Sequence, residues 1–244
     1  VKLFFLIFGA AAFQNSALKW CRDHRIHHQH CDHDEDPYSI KKGFWYAHIG
    51  WIFYQEENKD FGNVKDLLKD PLFVWQDKYI FLIGGVVGII IPIIIGFLLG
   101  APLGGIGIIA FGRIFLLHHM TFFINSLCHM VGTATFGKNH TAKDSAIMSL
   151  FTFGEGYHNF HHTFQSDYRN GVYWYQFDPS KWIIWTLAKL GMAKNLKTVD
   201  EEVILLAHFK TKEVELKDRS QLMSDEMREK YESLKDAFVN GVNH

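Results

Sequence analysis

Apolar residues occur along this chain in long uninterrupted runs, while charged residues collect at positions 19–78 and 194–236. The segment from Tyr79 to Gly100, YIFLIGGVVGIIIPIIIGFLLG, contains no charged residue in 22 positions. A helix of that length can cross a hydrocarbon core of about 30 Å. This pattern predicts a membrane-spanning helix.

A second apolar stretch runs from Ala101 to Leu127 and carries only Arg113, His118 and His119 as basic side chains. It predicts a return span, because proline and glycine are tolerated in membrane helices and the GAPLGG connection is very short. The two spans would form a hairpin whose outer ends share one membrane face. The first residues, VKLFFLIFGAAAFQNSAL, are typical of the end of another span, and Val1 starts inside it without an initiator Met or a leader pattern.

The sequence therefore predicts an all-α integral membrane protein in which a cytoplasmic helical domain holds a histidine-rich site. We expect the end of a transmembrane helix at 1–18, a cytoplasmic segment at 19–78, the transmembrane hairpin at 79–127, a second cytoplasmic region at 128–196 and a charged cytoplasmic tail at 197–244. The second cytoplasmic region contains GVYWYQFDPSKWIIWTLAKLG, whose Trp, Tyr and apolar residues are typical of an interfacial helix. In the tail, Ser224 is a candidate N-cap for an amphipathic helix.

Charge sets the expected orientation and excludes one class of partner. The net charge is −1 and the pI is near 7.0, which gives no reason to expect nucleic acid. The segment Lys19 to Lys78 holds nine basic residues and the hairpin tip holds none, so the histidine-bearing face is predicted to be cytoplasmic. Cys21, Cys31 and Cys128 have no regular spacing and suit a reducing compartment as ordinary free thiols.

Histidine is unusually frequent, with 15 in 244 residues, and two clusters repeat the spacing H-x-x-H-H. The first is DHRIHH and the second is GEGYHNFHH. Residues at i, i+3 and i+4 project from one face of a helix, so each cluster predicts one imidazole patch. The segment NSLCH, where the hairpin emerges, would lie on the same side of the membrane. Together these segments predict a metal site.

The number of histidines bears on the kind of metal site. Imidazole suits Zn, Cu, Fe and Ni, but a structural zinc takes four ligands, and six or seven clustered histidines exceed that number. Two metals are the simpler interpretation. Glu155 stands three residues before His158, as in the Glu-x-x-His motif of soluble di-iron bundles, but its flanking glycines weaken a regular helix and we do not expect it to be a ligand.

DHRIHH, NSLCH and GEGYHNFHH, in this order around a hydrophobic hairpin, resemble the membrane-bound fatty acyl desaturases, closest to the delta-9 acyl-CoA (stearoyl-CoA type) group. The resemblance runs from about Lys2 to about Lys194 and includes AFQN, DPYS, KGFWYAHIGW and FHHTFQSDYRNG. It implies that Asn125 holds a water bound to one of two irons. The iron ligands that it implies are His24, His27, His28, His129, His158, His161 and His162.

The resemblance also implies the reaction. Two hydrogens would be removed from adjacent carbons of a long-chain acyl thioester, with O2 and two electrons, to leave a cis double bond at delta-9. Such methylenes offer no acidic proton or leaving group, so the metal must carry the difficult step. Asp23, Asp167 and Glu155 are candidates to orient the imidazoles. The histidines outside the ligand pattern are expected to be packed, interfacial or solvated: His30, His33, His48, His118, His119 and His140.

Neighbouring methylenes are chemically alike, so the position of the double bond must be set by the shape of an apolar tunnel. By resemblance, Gln14, Trp20 and Thr121 lie at a kink in that tunnel. Interhelical hydrogen bonding by Gln14 and Thr121, and interfacial anchoring by Trp20, are the alternatives. Phe122 stands where relatives often have Trp, which alters the expected width.

Charged residues bear on the identity of the acyl carrier. Gln55, Glu56 and Glu57 occupy the place where animal acyl-CoA enzymes have a short basic run, and the negative charge of the two glutamates would repel CoA. Arg22 and the pair at 41–42 remain available as basic groups. Acyl-CoA is therefore favoured, with an acyl lipid or another carrier as the alternative.

Two expectations concern what lies outside these motifs. The sequence contains no H-P-G-G haem motif, so electrons are expected from a separate cytochrome b5 or ferredoxin with its reductase. The family carries an earlier H-x-x-x-x-H box, and no such pair precedes Asp23, so we expect an N-terminally truncated chain with that box upstream of Val1.

Other functions and two possible membranes remain open. A related membrane di-iron hydroxylase is the first alternative. A non-catalytic, histidine-rich metal-binding membrane protein is the second, but it would require polar residues within the spans. The membrane would be the endoplasmic reticulum in a eukaryote or the inner membrane in a bacterium.

Overall fold

The computed structural model describes residues 1–54 and 60–242. Across these residues the secondary structure is helical, with isolated β-bridges but no strand, so the prediction of an all-α protein is confirmed. The α-helices are α1 (Lys2–Ala10), α2 (Ala17–His30), α3 (Trp51–Tyr54), α4 (Lys65–Leu68), α5 (Pro71–Gly85), α6 (Ile91–Leu98), α7 (Pro102–Gly104), α8 (Arg113–Asn125), α9 (Ala146–Phe151), α10 (His158–Thr163), α11 (Pro179–Lys189) and α12 (Glu201–Val242).

Among the described residues, two continuous helical rods are long and apolar enough to cross a membrane, Pro71–Leu98 and Pro102–His129. The π-helical segments Val86–Ile90 and Gly105–Gly112 connect α5 to α6 and α7 to α8. The outer surfaces of the rods are apolar, and large side chains such as Phe81 are almost fully exposed. Contiguous apolar surface of this kind marks contact with lipid or a partner. The hairpin is therefore suited to a bilayer.

The first rod begins at Pro71, upstream of the charge-free window at Tyr79. Asp70 caps it by accepting a 3.0 Å hydrogen bond from the backbone N–H of Leu72, and proline at the first helical position is pre-organised for a helix. The charge-free segment from Tyr79 to Gly100 thus marks the apolar part of the helix and not its first residue. Asp77, on the helix before this window, accepts a hydrogen bond from the Ser16 hydroxyl.

The tip of the hairpin explains how the two rods approach each other. A Cβ built on Gly96 would lie 2.6 Å from the Cα of Gly105, so only glycine permits this contact. Gly100 adopts a left-handed φ of 69°, and Pro102 starts the next helix. A left-handed glycine followed by proline ends one helix and begins another within a few residues.

The linker between α1 and α2 is held between the rods. Gln76 accepts a 3.0 Å hydrogen bond from the Ala17 amide, while its own amide contacts the carbonyl of Leu6. From the other rod, Arg113 donates to the carbonyl of Ala11 at 2.9 Å. These contacts satisfy polar groups within the apolar region and fix where α2 begins.

The polar half of the molecule packs around Phe136, Phe160 and Ile204. Ile204 lies on α12, the long terminal helix, and packs this helix against the core. α12 runs through Ser224 without a break, so the prediction that Ser224 caps a new helix is wrong. Spaced ion pairs such as Lys217 with Glu213 stabilise one continuous helix, and nothing interrupts it at that position.

Candidate metal centre

Four imidazoles form a first group, which we name site A: His27 from α2, His129 after α8, and His158 and His162 from α10. The Nε2 atom of His162 lies 3.2 Å from that of His27 and 3.0 Å from that of His158. The Nε2 atoms of His158 and His129 are 3.1 Å apart. Three distant segments of the chain therefore converge on one point.

Three further imidazoles form a second group, site B: His24 and His28 from α2 and His161 from α10. The Nε2 atom of His28 lies 3.0 Å from that of His24 and 2.9 Å from that of His161. All three ligand atoms lie within 4.8 Å of one another. The two H-x-x-H-H patches thus face each other and divide between two sites.

The hydrogen bonds around His27 leave a bare nitrogen lone pair pointing into site A. Asp36 accepts from the backbone N–H groups of Asp32 and Tyr38, so the His27 Nδ1 at 2.8 Å from it must donate. The His27 Nε2 is then unprotonated. Its lone pair points at the Nε2 of His162, 3.2 Å away. A cation between them fits this arrangement.

His129 is held in the same tautomer. Thr141 donates its hydroxyl to Asp32 at 2.6 Å, so its oxygen can accept from the His129 Nδ1 at 2.7 Å. The Nε2 of His129 is again the unprotonated nitrogen, as a metal ligand requires. The donor set and its protonation both match a metal centre.

Burial favours the neutral form of imidazoles in both sites. Burial, together with the neighbouring His161 and His27, lowers the pKa of His24 to about 3. Burial likewise lowers the pKa of His28, His158, His161 and His162. Neutral imidazole is the form that binds metal, so the site is ready for a cation at physiological pH.

Two groups at this centre were not anticipated from the sequence. Asp36 and Thr141 hold the ring N–H of His27 and His129, whereas the candidates for this task are engaged elsewhere. Asp23 is paired with Arg22, Asp167 with Arg169, and Glu155 accepts from Asn170. A signal for Asp36 was present in the DPYS segment, which the resemblance includes.

Cys31 lies one helical turn beyond His27. Its Sγ is within 4.8 Å of the ligand atoms of His27, His129 and His162. Burial and the nearby Asp32 and Asp36 carboxylates raise the pKa of the Cys31 thiol well above its usual range, which keeps it protonated. Cys21, Cys31 and Cys128 are all free thiols.

A cavity of about 620 Å³ adjoins the metal centre. His24, His27 and His158 form part of its wall, and Asn125 at the end of α8 lines it beside them. All the substrate-channel candidates also line this cavity: Gln14, Trp20, Arg22, Thr121 and Phe122.

These lining residues hold one another in place. The amide of Gln14 donates to the hydroxyl of Thr121 at 2.9 Å, and the Trp20 ring stacks on His24 with ring centroids 4.5 Å apart. Phe122 is buried, and Arg22 is paired with Asp23 at 2.7 Å. Gln55, Glu56 and Glu57 lie outside the described residues.

The histidines expected to lie outside the ligand set have other partners or are solvated. His48 contacts His119 and the Ser126 hydroxyl, at 3.0 and 3.1 Å. His118 donates to the carbonyl of Ala12, and His140 contacts Thr163. His33 is exposed, and His30 is half-buried.

Comparison with known proteins identifies the family. The family model for fatty acid desaturases matches residues 2–193. The chain belongs to the fatty acid desaturase family. It is 41% identical to a probable acyl-CoA desaturase of Schizosaccharomyces pombe and 39% identical to acyl-CoA desaturase 1 of Saccharomyces cerevisiae, over 80% and 84% of this chain. It is also 39% identical, over 78% of this chain, to an sn-2 palmitoyl-lipid 9-desaturase of Nostoc.

The relatives differ in length from this chain. The matched regions cover 42% and 41% of the two yeast proteins and 67% of the Nostoc protein. Family membership is confirmed by these matches, because the family model covers most of the chain and the histidine clusters lie within the match.

Proposed function

We propose that this protein is an O2-dependent desaturase of long-chain fatty acyl thioesters. The observation that carries the proposal is the convergence of seven imidazoles in two groups, three of which line the cavity that also holds the channel residues. Family membership and the names of the relatives support it. The reaction would convert two adjacent methylenes, O2, two electrons and two protons into a double bond and two waters.

The metal at sites A and B would be iron. Bound iron with O2 would supply the oxidising power to remove hydrogen from unactivated carbon. The imidazoles of sites A and B would hold two such ions, and Asn125 would hold a water bound to one of them. Asp36 and Thr141 keep protons on the outer nitrogens of His27 and His129, so that the inner nitrogens stay free to bind.

The cavity residues would select the carbons that react. The hydrogen bond between Gln14 and Thr121 fixes two walls of the cavity relative to each other, and Trp20 lies against a site B imidazole. Phe122 would set the width. The shape of the cavity would hold one pair of methylenes near the metals, which we propose to be the delta-9 pair.

We favour acyl-CoA as the substrate. The two yeast relatives are named for acyl-CoA, while the Nostoc relative is named for an acyl lipid. Arg22 lines the cavity, and its guanidinium would face the carrier end of the substrate. Acyl groups on a membrane lipid are the alternative carrier.

The arrangement in the membrane follows from the same proposal. The hairpin would cross the bilayer, with both histidine groups on the cytoplasmic side and α11 lying in the headgroup region. Trp182 and Trp185 on α11 are exposed, which suits an interfacial helix. Electrons would come from a separate cytochrome b5, or from a ferredoxin with its reductase.

The test is expression of the full reading frame in membranes that lack acyl desaturation. Saturated acyl-CoA is supplied, and products are analysed by mass spectrometry. Wild type and H33A, which changes an exposed histidine outside both sites, should produce monounsaturated acyl chains, while H27A and H161A should produce none. Equal product from H27A or H161A would refute the proposal, and a product heavier by one oxygen would identify a hydroxylase instead.

A further inference from the structure

The two metal sites differ in what holds their ligands. Asp36 is 1% exposed and accepts from the His27 ring at 2.8 Å. Two backbone amides, of Tyr38 at 2.9 Å and Asp32 at 3.1 Å, also donate to this carboxylate. The carboxylate is therefore locked in place, and it fixes both the tautomer and the ring orientation of one site A ligand.

A second carboxylate serves site A through a hydroxyl. Asp32 is buried and accepts from the backbone and side chain of Thr141, both at 2.6 Å. Thr141 in turn accepts from His129 at 2.7 Å. One short loop, Asp32–Asp36, thus orients two site A ligands that come from different parts of the chain.

Site B has no equivalent support. The Nδ1 of His28 is buried without a hydrogen-bond partner, as is that of His158 in site A, so the difference between the sites lies in the outer acceptors of His27 and His129. In the part of the chain that the structure describes, no hydrogen bond from His24, His28 or His161 reaches a carboxylate. The negative charge of Glu155 favours the protonated form of His161, but the Glu155 carboxylate accepts its hydrogen bond from Asn170, at 2.8 Å.

We propose that the two metal positions are inequivalent: site A is the high-affinity position and fills first, and Asp36 and the Asp32–Thr141 pair are the positioning groups that make it so. The inference rests on the proposed function only in taking both histidine groups as metal sites. An outer carboxylate raises the basicity of its imidazole and holds the ring in place. Loss of such a partner lowers metal affinity by about 10- to 100-fold.

One consequence is a one-metal form of the protein. At limiting metal, site A is filled and site B is empty, so the reaction that needs both ions does not proceed. The site B ion is then the labile one, and its loss inactivates the protein before site A is affected.

The first experiment assigns the two affinities. Apo-protein from the full reading frame, purified in detergent, is titrated with Co²⁺ by visible absorption, and bound metal is counted by mass spectrometry. Wild type should bind two ions, with Kd values at least about tenfold apart. H161A, which damages site B, should retain the tighter ion, and H129A, which damages site A, should retain only the weaker one.

The second experiment tests the positioning groups. T141V removes the hydroxyl with little change in shape and should raise the Kd of the tighter step alone, by about tenfold or more. T141S keeps the hydroxyl, so its Kd for that step should match that of wild type. D36N should act in the same direction as T141V. T152V is the matched control, because Thr152 is buried and donates only to the carbonyl of Met148.

The outcomes separate this inference from the proposed function. Failure of wild type to bind two ions would overturn the proposed function. Two ions with equal Kd values, or a T141V variant that weakens both steps or neither, would overturn the inference alone. If T141V does not fold, the comparison of H161A with H129A and the titration of D36N still decide it.

Discussion

Gln14 and Thr121 lie 107 positions apart in the chain, yet the Nε2 of Gln14 is 2.9 Å from the Oγ1 of Thr121. The bond joins the linker between α1 and α2 to the helix that leads to Asn125. Both residues line the cavity beside the imidazoles. This contact therefore fixes the shape of the cavity near the metal centre.

Removing this bond should change which carbons react. In T121V the hydroxyl is lost with little change in volume, so the two walls are no longer tied and the acyl chain can shift along the cavity. We expect a mixture of double-bond positions or a broader range of chain lengths. Product positions can be read by mass spectrometry after derivatisation of the double bond. T121S keeps the hydroxyl and should behave as wild type. An unaltered product pattern in T121V would show that this hydrogen bond does not set the position of the double bond.

Phe122 should control the length of chain that fits. It is 4% exposed, so the larger ring in F122W must take space from the cavity or strain the helix, at a cost of about 1–3 kcal/mol. The expected result is a lower rate with the longest substrates relative to shorter ones. F115W is the control, since Phe115 lies on the same helix but is 67% exposed. If F122W and F115W give the same chain-length profile as wild type, Phe122 is not part of the substrate channel.

Metal should stabilise the folded protein. Binding to the native state alone adds RT ln(1 + [metal]/Kd), or about 2.7 kcal/mol at a hundredfold excess over Kd. Chelation should therefore lower the unfolding temperature in detergent, and added Fe²⁺ should restore it. The double variant H27A/H161A, which damages both sites, should lose this response. An equal response in wild type and the double variant would mean that the metal binds elsewhere.

Much of this architecture could be predicted because it depends on local spacing. The charge-free run from Tyr79 to Gly100 predicts a span from length alone. The i, i+3, i+4 spacing places three imidazoles on one helix face, whatever the rest of the fold does. These features need no knowledge of distant contacts.

The features that were missed depend on contacts between distant segments. Asp36 reaches His27 because the chain turns back after α2, and Thr141 reaches His129 across a loop whose path has no periodic signal. The start of the last helix was misjudged for a related reason. Ser224 is a good N-cap by residue type, but a helix already running through it from Glu201 leaves nothing to cap.

The most direct test of the central claim is the mass of the product from the purified, iron-loaded protein. The protein from the full reading frame is loaded with two irons per chain and supplied with a reductant, O2 and an 18-carbon saturated acyl-CoA. The mass of the acyl product is then measured by mass spectrometry. We predict an acyl chain lighter by two hydrogens, formed only when both sites are filled. An unchanged acyl chain despite two bound irons, or a product heavier by one oxygen, would contradict it.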